Sequence, residues 1–315
     1  MKAMILSAGL GTRLRPLTVT RPKALVEVAG RTLLEITLTR LRSFGVTEVI
    51  INVHHFAQMV VDYLKSHNNF SMRIEVSRED NLLLDTGGGL KKAAWFFLED
   101  SCRASASQPT ENKTSGTIPG PPVQADAART SAPSGRLRAM NPAKAPTHPN
   151  SDQMPDALSH FGEPFLLHNV DVISNVDFRR MLQFHNEHRA LATLAVQSRP
   201  SSRLLLFNDQ LQLIGRAAPG AAATEQDSRR ASRLSEASRG PSPLALAFSG
   251  IHVISPRLLA MLTEEGAFSI IDAYLRLATR GEKILAFRAN EYYWRDLGRP
   301  ADLSQAALDL GQGTV

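Results

Sequence analysis

Two basic side chains, Arg13 and Lys23, stand ten residues apart around a glycine-bearing loop, a spacing suited to holding a highly charged anion. The stretch reads Leu6-Ser7-Ala8-Gly9-Leu10-Gly11-Thr12-Arg13-Leu14-Arg15-Pro16-Leu17-Thr18, then Arg21-Pro22-Lys23-Ala24-Leu25. An apolar run from Ala3 to Leu6 leads into it, the profile of a buried strand ending in an anion-binding turn. Glycines let backbone N–H groups approach a phosphate closely, with fixed positive charge beside them. A guanidinium grips phosphate oxygens in a bidentate fork, whereas an ammonium acts as a compact point charge. This is not the dinucleotide fingerprint, whose third glycine is missing. Nor is it a Walker A loop, because no Gly-Lys-Ser/Thr closes it.

Acidic and small residues further along could complete a site. Asp171 ends the apolar run 164–171, at the edge where open α/β sheets bind ligands; a turn or helix-cap aspartate is the plain structural alternative. Asn169, two residues earlier, is placed to touch a sugar or ribose. Asp296 lies in Trp294-Arg295-Asp296-Leu297-Gly298, where Trp294 anchors the segment and Gly298 permits a turn. Asp85-Thr86-Gly87-Gly88-Gly89 precedes an apolar helix, and three glycines exceed what capping needs, so backbone there could approach a flat base. Ser249-Gly250-Ile251-His252 follows a strand; His252 reads as a packed or surface histidine, not a catalytic base. Ser269 reads as a helix N-cap with Asp272 as its reciprocal partner.

Gly-x-Gly-Thr-Arg followed by Pro22-Lys23 resembles the signature of the sugar-1-phosphate nucleotidyltransferases, which join a nucleoside triphosphate to a sugar phosphate and release pyrophosphate. The triple-glycine form resembles N-acetylmuramate-1-phosphate uridylyltransferases and some mannose-1-phosphate guanylyltransferase-like proteins. Two positions depart from the family pattern: Val170 where glycine is usual, and Asp85 where glutamate is usual. The resemblance implies an α/β, doubly wound, mainly parallel sheet of the Rossmann-like nucleotidyltransferase type. It implies that Leu6, Ala8, Gly9, Gly11, Thr12 and Arg13 contact the nucleotide, with Arg13 on the leaving pyrophosphate and Lys23 at the α-phosphate. Thr86, Gly87 and Gly88 would read the base, with Asn169, Ser249 and Gly250 on the sugar side. Asp171 and Asp296 would ligate Mg²⁺, the natural metal for a reaction that gathers phosphate charge. The implied partners are an NTP and a sugar 1-phosphate, first UTP with N-acetylmuramate 1-phosphate, next GTP with mannose or heptose 1-phosphate. Two other readings stay open: a catalytically idle nucleotide-sugar-binding regulatory subunit, and a cytidylyltransferase acting on phosphocholine.

The elements that must position these residues follow from periodicity. Apolar runs or alternation mark strands over 48–53, 72–77, 190–197, 247–254 and 284–288. Helical spacing marks 33–44, closed by Gly45, and 57–64, 178–188, 256–262, 270–279 and 300–308. Residues 204–211 read as a hairpin with Asn208-Asp209 at its turn. Strands alternating with helices predict a sheet covered on both faces. One nucleotidyltransferase domain over 1–315 is expected, with disordered insertions over 103–156 and 217–243, where Ser, Ala and Pro dominate.

Bulk properties narrow the class. A single cysteine, Cys102, leaves no internal disulfide framework, suits the cytoplasm and reads as inert. No apolar run is long enough to cross a bilayer, and the N-terminus reads as a strand instead of a signal peptide, so no membrane partner is expected. The net charge of +6 is scattered, without a basic helix or aromatic-interleaved patch, which argues against nucleic acid. Oligomeric state is not legible.

Overall fold

Ala3, Met4 and Ile5 have no exposed surface in the central strand β1 (Lys2–Leu6), a continuous apolar run of the kind that a sheet covered on both faces requires. The computed structural model describes residues 1–98, 162–217 and 242–313. The expected insertion over 103–156, Cys102, and all of 217–243 except Ala217, Ser242 and Pro243 lie outside the described residues. After β1 the chain forms a small hairpin, β2 (Glu27–Val28) with β3 (Arg31–Thr32), and enters α1 (Leu33–Ser43). Thr32 caps that helix by accepting the Glu35 N–H at 3.0 Å. Then come β4 (Glu48–Val53), parallel to β1, α2 (Ala57–Ser66), and β5 (Arg73–Arg78), parallel to β4.

The winding then reverses. β6 (Phe165–Asn169) pairs in parallel with the free side of β1, so the strand order turns back between β1 and β6. The crevice beyond the C-terminal ends of two such strands is where open α/β sheets bind ligands. The glycine loop leaves the end of β1 and Asp171 follows the end of β6, so both lie at that crevice.

Further elements follow. They are β7 (Val172–Ser174), α4 (Phe178–Glu187), β8 (Ala192–Gln197), β9 (Leu204–Phe207), β10 (Leu213–Arg216) and the long β11 (Leu244–Ile254). α5 (Ile270–Thr279), β12 (Ile284–Arg288), β13 (Trp294–Asp296) and α6 (Pro300–Gly311) close the described chain. β11 runs antiparallel to β6, β8 and β9, whereas β12 is parallel to β8. The α/β, doubly wound architecture therefore stands, with the parallel half at β5-β4-β1-β6 and an antiparallel seam along β11. Alternate β1 residues feed two cores: Ala3 and Ile5 pack on the face shared with α1 and α4, Met4 and Leu6 on the face shared with α5.

Three local expectations need correction. The glycines at 87–89 do not precede a helix; α3 (Asp85–Lys92) begins at Asp85 and contains them. Residues Pro256–Met261 form a 3-10 turn and not an α-helix. The hairpin exists, but its turn is the loop 208–212, where Asn208 Oδ1 accepts the Gln210 and Gln212 N–H groups at 3.1 and 2.8 Å.

Candidate active site

The glycine loop after β1 takes its shape from one left-handed residue. Gly11 has φ +62°, and a Cβ there would sit 2.9 Å from Thr18 Cγ2 and 3.2 Å from Lys23 Cβ. Only glycine allows both the turn and that close packing. Thr18 Oγ1 donates to the Gly11 carbonyl at 2.8 Å and holds the loop closed. Leu6 and Ala8 are buried supports, whereas Gly9, Thr12 and Arg13 are exposed. A Cβ at Gly9 would meet nothing within 4 Å, so the chain's own packing does not require glycine there.

The carboxylates reach this loop through a short ladder. β7 pairs with β13, setting Asp296 opposite Val172, and the Leu297 N–H donates to the Asp171 carbonyl at 2.7 Å. Lys23, only 8% exposed, forms an ion pair with Asp171. Asp296 Oδ1 accepts the Gly298 N–H at 2.6 Å. A Cβ at Gly298 would lie 2.6 Å from both Arg13 Nη2 and Asp296 Oδ1. Gly298 is therefore needed for the approach of the Arg13 guanidinium; its φ is not left-handed, so the turn itself does not demand glycine. Burial lifts the Asp296 carboxyl above the usual carboxylate range, the Asp171 charge adds to the lift, and Lys23 and Arg13 oppose it.

Two converging carboxylates are hard oxygen donors of the kind Mg²⁺ takes, with its remaining positions left to phosphate oxygens and water. Among the described residues no three His, Cys, Asp or Glu side chains gather to enclose a metal. The donor set fits an Mg²⁺ shared with a substrate.

Beside this centre lies a cavity of about 590 Å³, lined among others by Thr86, Asn169, Arg203, Arg216, His252 and Ser269. Phe248 and His252 also line it, whereas Ser249 and Gly250, in the bulge of β11 between those two residues, do not. Gly250 has φ +75°, and a Cβ there would lie 2.8 Å from Asn169 Nδ2. Ser249 is fully buried with an unpartnered Oγ, and its carbonyl accepts the Trp294 indole N–H at 2.7 Å. Val170 keeps a negative φ and packs in the core at 3% exposure, which accommodates the β-branched side chain where glycine is usual.

The base-side loop has its own internal logic. Asp85 has φ +58°, a conformation short Asp and Asn side chains tolerate better than long ones, and its Oδ1 accepts the Thr86 N–H at 2.6 Å. Gly87 and Gly88 donate their N–H groups to the Phe268 carbonyl at 2.9 and 3.3 Å. Added Cβ atoms would fall 2.3 Å from the Phe268 ring and 2.4 Å from the Gly266 carbonyl oxygen. The glycines thus let α3 seat on residues 266–270, and it is Asp85 and Thr86 that line the cavity. His252 is the packed histidine of the two states the sequence left open: it is 1% exposed, and Nδ1 shares a 2.9 Å hydrogen bond with the Tyr274 hydroxyl. Ser269 does cap α5, accepting the Ile271 N–H at 3.3 Å. The reciprocal partner is absent, because Asp272 turns to an ion pair with Arg216 at 2.8 Å.

Sequence reasoning missed Arg199. Its guanidinium lies 3.6 Å over the Trp294 ring, and Nη2 donates to the Phe248 carbonyl at 2.9 Å. It follows β8 as an isolated basic residue next to proline, and nothing local marks it.

Fold and site define a class: an α/β protein whose glycine loop sets Arg13 and Lys23 against two convergent aspartates at the switch point of the sheet. Residues 2–106 match the family model for nucleotidyl transferases. The chain is 50% identical over 93 residues to N-acetylmuramate alpha-1-phosphate uridylyltransferase of Caulobacter vibrioides, covering 29% of this chain and 38% of that protein. It is 40% identical over 101 residues to mannose-1-phosphate guanyltransferase of Emericella nidulans, covering 32% and 28%. The chain thus spans well under half the length of these relatives. A putative glucose-1-phosphate thymidylyltransferase from Bacillus anthracis shares the fold, with TM-score 0.63, 15% identity, and coverage of 99% of this chain and 95% of that one. The match to the nucleotidyl transferase model covers the first third of this chain.

Proposed function

We propose that the protein transfers a nucleoside monophosphate from an NTP to a sugar 1-phosphate, giving an NDP-sugar and pyrophosphate. The observation that carries this reading is the meeting of Arg13 and Lys23 with Asp171 and Asp296. Nucleotidyl transfer needs positioning and charge neutralisation more than acid–base groups. Gly9 to Arg13 would cradle the triphosphate, with Arg13 on the departing pyrophosphate and Lys23 beside the α-phosphate. Asp171 and Asp296 would hold Mg²⁺, which when bound supplies neutralising charge to the phosphates. The cavity beside Thr86, Asn169, Ser249 and Gly250 would orient the base and the sugar, leaving the sugar phosphate oxygen in line with the α-phosphorus.

UTP with N-acetylmuramate 1-phosphate is the first substrate pair, and GTP with mannose or heptose 1-phosphate the second; the names of the two relatives, a uridylyltransferase and a guanyltransferase, support that order. The assembly of both cations and both carboxylates speaks for turnover over binding alone. The single cysteine supports a reducing cytoplasm as the compartment, and among the described residues no helix is long and apolar enough to cross a membrane. Pyrophosphate release across a panel of NTPs and sugar 1-phosphates tests the reading: turnover with at least one pair is expected, and none with any pair would refute it.

A further inference from the structure

A chain of buried polar groups joins the two loops assigned to the nucleotide. The Ser7 N–H, at the end of β1, donates to Asn52 Oδ1 at 2.7 Å. Asn52 Nδ2 donates to Glu79 Oε1 at 2.7 Å, and the Leu84 N–H donates to Glu79 Oε2 at 2.9 Å. Asn52 is 3% exposed and Glu79 1%. Both sit at sheet edges facing the site: Asn52 pairs with Leu6 across β1 and β4, and the Glu79 N–H donates to the Val53 carbonyl at 2.8 Å just past β5.

The third glycine of the base-side loop belongs to this chain. A Cβ at Gly89 would lie 2.8 Å from Asn52 Nδ2 and 2.9 Å from Glu79 Oε1. On the far side the Phe268 N–H donates to the Leu84 carbonyl at 3.1 Å, carrying the connection to the segment before α5. Burying a carboxylate and an amide is costly unless every link is made, and a fully linked network fixes one geometry. Apolar side chains could fill this space without that cost. The links run between the phosphate loop and the base-side loop, and a triphosphate and its base must meet both at once.

We propose that Asn52 and Glu79 are positioning residues that fix the distance between the triphosphate loop and the base-side loop, and so set affinity for the nucleotide. This rests on the nucleotide-binding part of the function proposed above. Both Glu79 oxygens accept N–H groups, so Glu79→Gln must set its own NH₂ against a second donor, either Asn52 Nδ2 or the Leu84 N–H. Asn52 cannot flip in compensation, because Oδ1 already receives the Ser7 N–H. The double variant Asn52→Asp/Glu79→Gln restores all three links with the charge moved from position 79 to position 52. The new carboxylate at position 52 accepts from the Ser7 N–H and from the new amide NH₂ at position 79. The amide oxygen at position 79 then accepts the Leu84 N–H.

The test compares wild type, Glu79→Gln and the double variant in NTP binding by calorimetry and in the KM values for NTP and sugar 1-phosphate. Glu79→Asp, one methylene shorter, replaces Glu79→Gln if the latter does not fold. One severed buried link should weaken NTP binding and raise the NTP KM by about 5- to 100-fold. The sugar-phosphate KM should stay within about twofold, and the double variant should regain wild-type NTP affinity. A single variant of lowered Tm but unchanged NTP affinity would overturn the proposal, as would equal movement of both KM values. So would a double variant that regains Tm without regaining affinity. A wild-type chain that binds NTP without turnover would defeat the proposed reaction alone, and calorimetry would still decide the bridge. A wild-type chain that binds no NTP would defeat both.

Discussion

Lys23 and Asp171 form an ion pair, and that pairing shapes what their substitution should do. Removing Lys23 leaves a half-buried Asp171 without its partner and removes the point charge proposed to neutralise the α-phosphate. Lys23→Ala is expected to lower pyrophosphate release about 100- to 1,000-fold, the scale of losing one charge stabiliser, with Tm moving by only a few degrees. Asp296 behaves differently. Burial and the Asp171 charge raise its pKa, so its charged form costs stability at neutral pH. Asp296→Asn keeps the acceptor for the Gly298 N–H; turnover should collapse while Tm holds or rises, and an unfolded variant would contradict this. At Gly298→Ala the new Cβ collides first with Arg13 Nη2, the end of a flexible side chain. Folding should survive, and the NTP KM should rise as Arg13 is pushed aside. These four groups were legible in the sequence because each sits in a local motif. Arg199, Asn52 and Glu79 were not, because their contacts join elements that periodicity treats separately.

The β7–β13 ladder carries the site at the scale of elements, since it sets the two aspartates side by side. Its strands span three residues each, Val172–Ser174 and Trp294–Asp296, too short to give an apolar period, so only their motifs could be read. The longer strands were visible as apolar runs, because a sheet covered on both faces excludes polar residues from its middle. The triple glycine was visible as unusual, but its cause lay in a partner segment distant in sequence. Gly88→Ala is a direct test of that seam: its Cβ would meet a backbone carbonyl oxygen at 2.4 Å, which cannot swing away. A loss of about 1–3 kcal/mol, read as a lower Tm, is expected. An unchanged Tm would mean that α3 and residues 266–270 slide freely.

Three histidines, His168, His185 and His252, lie inside the two faces of the whole molecule at 1–2% exposure. Burial pushes His168 and His185 down to about 4 and His252 to about 3, with His168 lowering His252 further. The folded chain therefore refuses protons that the unfolded chain accepts below about pH 6.5. Stability from these groups is complete above that pH and is lost as pH falls toward 4. Each contributes a slope of about 1.4 kcal/mol per pH unit, so Tm should drop steeply over that window. His185→Asn should flatten the histidine part of the slope by about a third; an unchanged slope would contradict its neutral burial.

The doubly wound architecture was the most legible feature at this scale, because every parallel strand announced itself. The strand at 247–254 was read as well, but not its antiparallel direction, since pairing direction leaves no local trace.

The central claim is that the basic loop and the paired aspartates form one nucleotidyl-transfer site. Pyrophosphate release, followed with each NTP and sugar 1-phosphate in the presence of Mg²⁺, tests it most directly when wild type is set beside Lys23→Ala and Asp171→Ala. The account predicts release by the wild type with UTP or GTP and one sugar 1-phosphate, and its loss in both variants while each remains folded. Release that continues undiminished in either folded variant would contradict it.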